Sequence, residues 1–400
     1  MADAYRPAWA EVDVGAARRN AALLAGLVAP SQLCAVVKAD GYGHGALPLA
    51  RAALAGGATW LAVALVEEGV ALRDAGIDAP VLLLSEPPVT AMADAVGHRL
   101  VPTVYTPEGV RALGKAADRV GSPVDVHLKV DTGMHRVGAD AAGVAALVDE
   151  VVGQPGLRLG ALWTHLAVAD GDSEEDRAFT AAQLGRFDAA LAEMAAAGRR
   201  PPLTHVANSA GAISFPAARH GLVRCGIALY GHCPTPGVAA DLAVATGGGR
   251  LEPVLSLRTE VSFTRRLAAG ERPSYGRRRP LPAEATVATV PIGYADGVPR
   301  RLFDVGGEVL VGGVRRPLAG VVTMDQIVVD CGPADGSAGS PPVAPGDAVV
   351  LLGRQGDEEV TATEWADLLG TISYEVLCDI GPRVPRRVVG DGTAPVPGGA

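Results

Sequence analysis

From about residue 12 to residue 245, short apolar runs alternate with longer segments whose apolar residues recur at helical spacing. This alternation is typical of parallel strands that are joined by crossover helices. We predict eight strands here, at residues 33–38, 60–64, 81–84, 100–104, 124–130, 159–164, 203–206 and 222–224. Because eight parallel strands close a barrel, the pattern predicts an α/β fold with an N-terminal (β/α)8 barrel of the TIM type.

Sequence signals mark the ends of two of the connecting helices. Thr106 followed by Pro107 is typical of an N-cap with proline at the first helical position. Ser173 with Asp176 resembles a capping box, and Gly198 is placed to end the helix that Ser173 begins.

Beyond about residue 245 the period changes to a strict alternation of apolar and polar residues, which predicts a half-buried strand at 255–263. Further strands are predicted at 286–291, 308–311, 314–318, 321–330 and 347–352, with Gly312 and Gly313 forming a hairpin turn. This second domain is therefore mostly β. We expect the barrel at 12–245, the β domain at 246–388 joined by the N-terminal segment 1–11, a surface loop at 333–346 and a disordered tail at 389–400.

The net charge of −9 argues against a nucleic-acid partner, because binding to nucleic-acid phosphates needs a concentrated basic surface. The five cysteines are an odd number without paired spacing, so we expect a reducing compartment, no disulfide framework and no metal site. The N-terminal residues suit neither a signal peptide nor a transit peptide. No apolar run approaches the roughly 18 residues that span a bilayer, so we expect a cytoplasmic protein without a membrane partner.

Lys38 is the first candidate for a catalytic residue. It ends the first predicted strand and opens a segment with three glycines, at the edge of a barrel where catalytic groups lie. His165 ends another predicted strand in the same way. Taken alone, a lysine at a strand end is more often a solvated charge, and such a histidine is more often a core residue.

Seven ordered motifs extend the case over nearly the whole chain: VKADGYGHG at 37–45, HLKVDTGMHRVG at 127–138, NS at 208–209, RCGI at 224–227, YG at 275–276, PIGYADG at 291–297 and MDQ at 324–326. Together they resemble the alanine racemase family, whose members use pyridoxal 5'-phosphate and have a barrel followed by a β domain. That architecture agrees with the change of period read from the residues.

The resemblance implies two proton-transferring residues, one on each face of the substrate Cα. Lys38 would hold pyridoxal phosphate as a Schiff base and exchange a proton on one face, and Tyr275 would act on the other face. A phenol ordinarily titrates near pH 10, so a tyrosine base requires positive charge nearby. Arg136 is the candidate for that charge, because the matching family arginine lies beside the tyrosine and the substrate carboxylate.

The resemblance also assigns the cofactor contacts. Arg224 would meet the pyridine nitrogen as a hydrogen-bond donor that keeps its own proton. His165 would pack beneath the cofactor ring and contact that arginine. The phosphate would be held by hydroxyl groups and backbone N–H groups, namely those of Tyr42, Ser209, Tyr374, Gly226 and Ile227.

In the family, the β domain of one subunit covers the barrel mouth of another. The resemblance therefore implies a homodimer with shared active sites, in which Tyr275, Tyr294 and Met324 meet a small amino-acid substrate. Lys129 matches a position that is carbamylated in some members, and an unmodified lysine facing solvent is the alternative. The chain departs from the usual pattern at Asp40-Gly41 and at Thr323, where many members have Asn-Ala and cysteine.

The function implied is interconversion of L-alanine and D-alanine, which supplies D-alanine for bacterial peptidoglycan. Several alternatives remain open from the sequence. One is a racemase for another small amino acid such as serine, and another is a pyridoxal-phosphate decarboxylase of basic amino acids on the same two-domain plan. Two further alternatives are a non-catalytic carrier of the cofactor and a barrel that binds sugar phosphates or a metal instead.

Overall fold

The computed structural model describes residues 5–121, 123–333 and 341–390. These residues fall into two units. The barrel unit comprises residues 17–41 and 46–252, and the β unit comprises the described residues up to Ala16, residues 42–45 and the chain from Pro253 onward. Across the described ranges, no helix combines the length and the apolar composition needed to cross a bilayer.

Eight parallel strands form the sheet of the barrel unit, and each lies beside its neighbours in the chain. The first and the eighth strands also pair, with Cys34 opposite Arg224. Between the third and fourth strands, Val101 donates to Val81 O (2.8 Å) and accepts from Leu83 N (2.9 Å), which joins the two ends of the sheet. The predicted (β/α)8 barrel is thereby confirmed. Its strands are Gln32–Val36, Trp60–Val63, Val81–Leu83, Thr103–Val104, Val124–Asp131, Leu157–Trp163, Leu203–His205 and Leu222–Cys225.

Two of the helices between these strands begin where the sequence predicts. Gly109 N donates to Thr106 Oγ1 (2.9 Å), and Asp176 N donates to Ser173 Oγ (3.0 Å), which confirms both N-caps. The helices are Val14–Val28, Ala46–Ala55, Val66–Asp74, Met92–Gly97, Pro107–Val120, Val144–Val152, Glu174–Ala196, Ser209–Ser214 and Pro236–Thr246. A two-residue strand, Ala139–Asp140, pairs beside Val124–Asp131.

The β unit contains two sheets. The larger sheet has the order Val314–Pro317, Glu308–Val311, Ala348–Gln355, Leu255–Glu260, Ala8–Asp13 and Arg386–Val389, and Glu358–Val360 also pairs with Ala348–Gln355. The smaller sheet has the order Phe263–Leu267, Ala285–Val290 and Ile327–Asp330. The short helices Ala362–Leu369 and Ser373–Cys378 complete the unit. The mostly β character predicted for this part of the chain is confirmed.

The stretch predicted as one strand at 255–263 is two strands in two different sheets. Val261 N donates to Asp347 O of the larger sheet (2.9 Å), whereas Ser262 N donates to Thr289 O of the smaller sheet (2.9 Å). The alternation of apolar residues continues through the break, from the buried Val261 to Phe263, which is 50% exposed, so the pattern alone did not reveal it.

The strand predicted at 321–330 is too long, since only Ile327–Asp330 is extended. The preceding residues form a turn in which Thr323 Oγ1 donates to Gln326 O (2.7 Å) and accepts from Gln326 N (3.2 Å). A threonine that bonds locally to the backbone competes with strand pairing, which explains the difference.

Three smaller differences concern strand ends. The predicted strand at 100–104 shortens to Thr103–Val104, and the strand Ala8–Asp13 was not predicted. The predicted tail began too early, because Val389 ends the strand Arg386–Val389. The rest of the tail, 391–400, and residues 334–340 of the predicted loop lie outside the described residues.

Candidate active site

Lys38 lies just beyond the first barrel strand, which ends at Val36, and not within it as predicted. The residues after it turn in the left-handed region, with φ values of 52° at Ala39, 48° at Asp40 and 61° at Gly41. That conformation is unfavourable for alanine and aspartate, because Cβ crowds the backbone. Strained backbone of this kind is concentrated at functional sites, where surrounding contacts must hold it.

Two carboxylates hold the backbone around Lys38. Glu68 accepts from Ala39 N at Oε1 (2.6 Å) and from Ala64 N at Oε2 (2.8 Å), so one side chain ties together the ends of two barrel strands. Asp40 Oδ1 accepts from Ala46 N (2.8 Å), at the start of the helix Ala46–Ala55. At Gly41, whose φ is positive, a Cβ would lie 3.2 Å from Ala46 Cα. The Asp40-Gly41 departure from the family pattern therefore has a local structural role.

Arg224 is buried on the eighth barrel strand and bonds through its two terminal nitrogens. NH2 donates to Thr164 O (2.9 Å) and Val206 O (3.0 Å), and it lies 3.2 Å from His165 Nδ1. NH1 donates to His205 Nδ1 (2.8 Å). These partners are carbonyl groups and imidazoles, without a carboxylate. Burial lowers the pKa of Arg224 to about 10, so the guanidinium keeps its charge at neutral pH.

Arg224 fixes the state of the histidines that it contacts. A guanidinium only donates, so Nδ1 of His205 must be the unprotonated acceptor nitrogen. The two hydrogens of NH2 go to Thr164 O and Val206 O, so His165 Nδ1 is a weaker, third neighbour of that nitrogen. Burial is the largest cause that lowers the pKa of both histidines well below its ordinary value, and the charge of Arg224 is the next. Both rings are therefore neutral near pH 7.

Trp163 stands beside two cations. Lys129 Nζ lies 4.5 Å from the centroid of its ring and Arg224 Cζ lies 4.6 Å from it, within the range of cation–π attraction. The pKa of Lys129 falls to about 7, mainly because the amine is buried, with the charges of Arg224 and Arg136 as the next causes. A substantial fraction of Lys129 is therefore a neutral amine at neutral pH.

Arg136 is exposed at the end of a loop that follows the fifth barrel strand. Asp131 organises this loop, because its Oδ1 accepts from the backbone nitrogens of Gly133 (2.8 Å), Met134 (2.9 Å) and His135 (3.1 Å). Beneath the loop, Gln183 of the helix Glu174–Ala196 donates to Thr132 Oγ1 (3.2 Å). Arg136 is thus carried by a loop with a defined conformation.

Ser209 and the segment after the eighth strand come together as predicted from the motifs NS and RCGI. Ser209 Oγ accepts from Gly226 N (3.0 Å) and Ala228 N (3.4 Å). Ser209, Gly226 and Ile227 are all buried. One hydroxyl and several main-chain donors therefore lie together at this end of the barrel unit, a combination suited to a phosphate group.

The β unit carries the remaining predicted site residues. Tyr275, Met324 and Tyr294 are exposed, with 72%, 52% and 42% of their surfaces accessible. Tyr294 and Met324 lie on adjoining segments, because Tyr294 N donates to Thr323 O (3.0 Å) and Ala295 N donates to Met324 O (3.1 Å). Gly293 permits this approach, since a Cβ there would lie 2.3 Å from Thr323 O.

Two phosphate-binding candidates also meet within the β unit. The rings of Tyr42 and Tyr374 have centroids 6.0 Å apart and are tilted by 45°. Tyr42 is buried and Tyr374 is half-buried. The sequence signal for Tyr374 was weak because its motif is short and lies in a helical setting. The structure places the Tyr374 ring beside Tyr42, which belongs to the same motif as Lys38.

Sequence reasoning missed His127, His205, Trp163 and Glu68. The two histidines were visible as polar residues within predicted barrel strands, but periodicity does not distinguish a side chain that faces the barrel interior from one beneath a helix. Glu68 carried no signal, because its partners are backbone groups brought near only by the fold.

Comparison with known proteins identifies the family. The model of the alanine racemase N-terminal domain matches residues 12–234, and that of the C-terminal domain matches residues 254–388. An alanine racemase of Symbiobacterium thermophilum is 46% identical over 389 residues, which are 97% of this chain and 99% of the relative. The solved alanine racemase of Streptomyces coelicolor has a TM-score of 0.88 and 38% identity, covering 98% of this chain and 100% of that one. The Bacillus anthracis alanine racemase, solved with bound L-Ala-P, has a TM-score of 0.87 and 37% identity, covering 98% of this chain and 97% of that one. The chain belongs to the alanine racemase family.

Proposed function

We propose that this protein is a pyridoxal-phosphate-dependent enzyme that interconverts L-alanine and D-alanine. The observation that carries the proposal is the buried Arg224, a cation without a carboxylate among its partners, on the barrel strand beside the one that Lys38 follows. Relatives at up to 46% identity bear the name alanine racemase over nearly the full chain, which favours neither the serine nor the decarboxylase alternative.

The donors of Arg224 suit the pyridine nitrogen of the cofactor. Its hydrogen bonds within the described residues engage NH1 and NH2, and its Nε–H engages none of these partners. A ring nitrogen that accepts from Arg224 is held in its unprotonated form, because a protonated nitrogen has no lone pair to offer. His165, as a neutral imidazole beside Arg224, would pack against the ring face.

The phosphate would be held by hydroxyl and backbone donors from two parts of the chain. Ser209 would supply one set together with the N–H groups of Gly226 and Ile227, the first of which donates to Ser209 Oγ in this structure, and the hydroxyls of Tyr42 and Tyr374 would supply the other. When bound through Lys38, the cofactor supplies the electron sink that makes the substrate Cα–H acidic.

Lys38 and Tyr275 would move the proton at Cα. One of them removes the proton from one face, and the other delivers a proton to the opposite face, so the substrate regains one proton for the one it loses and its configuration inverts. Arg136 would bind the substrate carboxylate and favour the phenolate of Tyr275 through its positive charge. The cations around Lys129, namely Arg224, Arg136 and Lys38, give this region a field that attracts an anionic substrate.

Tyr275 would reach the substrate from the partner subunit of a homodimer. The high exposure of Tyr275, Tyr294 and Met324 supports this, since large side chains of a functional surface are often covered by a partner. Tyr294 and Met324 would border the substrate and limit its size. We expect the enzyme to act in the cytoplasm and to supply D-alanine for peptidoglycan.

Lys129 would be carbamylated. Its lowered pKa of about 7 supplies the neutral amine that carbon dioxide requires. The ammonium form first loses one proton, and the neutral amine loses a second as its nitrogen joins the carbon of carbon dioxide, so a cation becomes an anion. That anion would orient Arg136 in place of repelling it.

One experiment tests the proposal. Purified protein with added pyridoxal phosphate is incubated with L-alanine in deuterium oxide, and optical activity and Cα–H exchange are followed together, with L-serine in parallel. Loss of optical activity with exchange supports the racemase, and the faster substrate decides between alanine and serine. Carbon dioxide release would indicate the decarboxylase, and a lysine-bound chromophore without turnover would indicate a carrier.

A further inference from the structure

The hydrogen bonds of Arg224 continue beyond His205 to a second buried histidine. His205 Nε2 lies 3.0 Å from His127 Nδ1, and both rings are buried. His127 belongs to the strand Val124–Asp131 and His205 to the strand Leu203–His205, with the strand Leu157–Trp163 between them in the sheet. Their contact therefore crosses the barrel interior and does not follow the strand pairing.

The positions of the protons in this chain are determined by its first member. Arg224 donates to His205 Nδ1, so His205 carries its single proton on Nε2. That nitrogen must then donate to His127 Nδ1, so His127 also carries its proton on Nε2. With both rings neutral, no other arrangement satisfies both contacts.

We infer that His127 is a positioning residue for Arg224 and acts through His205. Without the acceptor nitrogen of His127, the N–H of His205 would be buried without a partner. The ring would then gain by rotating or by moving its proton to Nδ1. Either change leaves Arg224 NH1 facing a donor or no acceptor, so Arg224 loses its bond to His205, which is one of the bonds that orient it. The inference rests on the proposed contact between Arg224 and the cofactor ring.

The surroundings of the two rings favour this role. Trp163 stacks on His205, with centroids 5.2 Å apart and an angle of 14° between the rings, and Trp60 lies 5.4 Å from His127. These contacts restrict rotation of the imidazoles. Burial and, after it, the charge of Arg224 lower the pKa of His127 to about 3. His127 is therefore a neutral acceptor throughout the physiological range.

The first test reads the tautomers directly in unmodified protein. Long-range nitrogen NMR of protein labelled with 15N-histidine, with and without added pyridoxal phosphate, distinguishes the two ring nitrogens. We expect His127 and His205 both to carry the proton on Nε2 and to show no titration between about pH 5 and pH 8. A proton on Nδ1 of either ring, or titration of either in that range, would overturn the inference.

The second test uses variants loaded with pyridoxal phosphate that is 15N-labelled at its ring nitrogen. His127→Leu should shift the ring-nitrogen signal and lower kcat on the order of tenfold, as removal of an outer partner of a binding group does. His127→Gln should restore both, because an amide oxygen can accept from His205. His232→Leu is the matched control, since His232 is a buried histidine of the same unit whose Nε2 has no partner among the described residues.

The outcomes separate this inference from the proposed function. If the ring nitrogen of unmodified enzyme shows no hydrogen bond, the role proposed for Arg224 fails, whatever the histidine tautomers. If it shows the bond and both His127 variants leave the signal and kcat unchanged, the positioning role of His127 is wrong. If His232→Leu shifts the signal as much as His127→Leu, the effect is general destabilisation and the inference is also wrong.

Discussion

Arg224 Cζ lies 4.6 Å from the centroid of the Trp163 ring, so the cation assigned to the cofactor nitrogen packs against an aromatic side chain inside the barrel. The same ring lies 4.5 Å from Lys129 Nζ. Arg224 gains from the electrons of this indole, as does Lys129 while its amine is unmodified and protonated, and each cation–π contact contributes about 0.5 to 2 kcal/mol. Trp163 thereby offsets part of the cost of burying positive charge at Arg224, which has no carboxylate partner in the part of the chain that the structure describes.

Trp163→Leu should accordingly lower both stability and activity more than Trp163→Phe does. Leucine fills part of the volume without attracting either cation, whereas phenylalanine keeps an aromatic face. We expect the leucine variant to lose about 3 kcal/mol or more of unfolding free energy, as for removal of a buried aromatic. Urea unfolding and kcat/KM measure the two effects, and equal losses in both variants would contradict the cation–π role.

Lys129 should make stability depend on pH. Its pKa is lowered from 10.5 to about 7 in the folded protein, so between these values the unfolded chain binds the extra proton. Stability should therefore rise with pH from about 7 to about 10.5 and lose this dependence below about 7. The measurement is urea unfolding over this range of the protein without cofactor, in buffer freed of carbon dioxide so that Lys129 is an unmodified amine, compared with Lys129→Met.

The control for this pH dependence is Lys115→Met, at an exposed lysine of the barrel unit. The difference between unmodified protein and Lys129→Met should vary with pH, and the difference for Lys115→Met should not. Parallel curves for both variants would show that Lys129 does not titrate as described.

Tyr275→Phe should distinguish the proton exchange on the two faces of the substrate Cα. Without the phenolic oxygen, one face has no group to exchange the Cα proton, so racemisation should fall by about 100-fold or more. Exchange in deuterium oxide should persist for one enantiomer of alanine and stop for the other, because Lys38 still serves its face. Equal loss of exchange from both enantiomers would contradict the two-base scheme.

Arg224→Glu should alter the products more than the binding of the substrate. A carboxyl group can protonate the ring nitrogen, which strengthens the electron sink and favours protonation away from Cα. Pyruvate should then form from alanine at a higher ratio to racemised product. Chromatography of the products measures this ratio, and an unchanged ratio would count against the role given to Arg224.

Gln183→Glu should loosen the two loops that Gln183 joins. Its Nε2 donates to Thr132 Oγ1 (3.2 Å) and His165 O (3.2 Å), and a carboxylate keeps only the acceptor for Ala167 N. We expect a loss of about 1 to 3 kcal/mol and a higher KM, since Arg136 follows Thr132. Gln154→Glu is the control, because that side chain makes no hydrogen bond among the described residues, and an equal KM change there would contradict the role of Gln183.

The sequence determined the architecture and predicted part of the candidate site. The period of two residues in strands and of 3.6 residues in helices arises because one face of each element is buried. Such a pattern is visible in the order of residues along the chain. The eight barrel strands and the β character after residue 245 were therefore predictable, and the ordered motifs named Lys38, Arg224 and Ser209.

Only the tertiary structure decided how these residues are held. Glu68 reaches the backbone of Ala39, and Asp40 reaches Ala46, through bonds between segments that the pattern cannot align. The transfer of the chain between sheets at Val261 depends on which carbonyl group each N–H meets. The proton order of Arg224, His205 and His127 likewise follows from their mutual distances inside a closed barrel, because a hydrogen bond depends on where two atoms lie and leaves no periodic trace in the sequence.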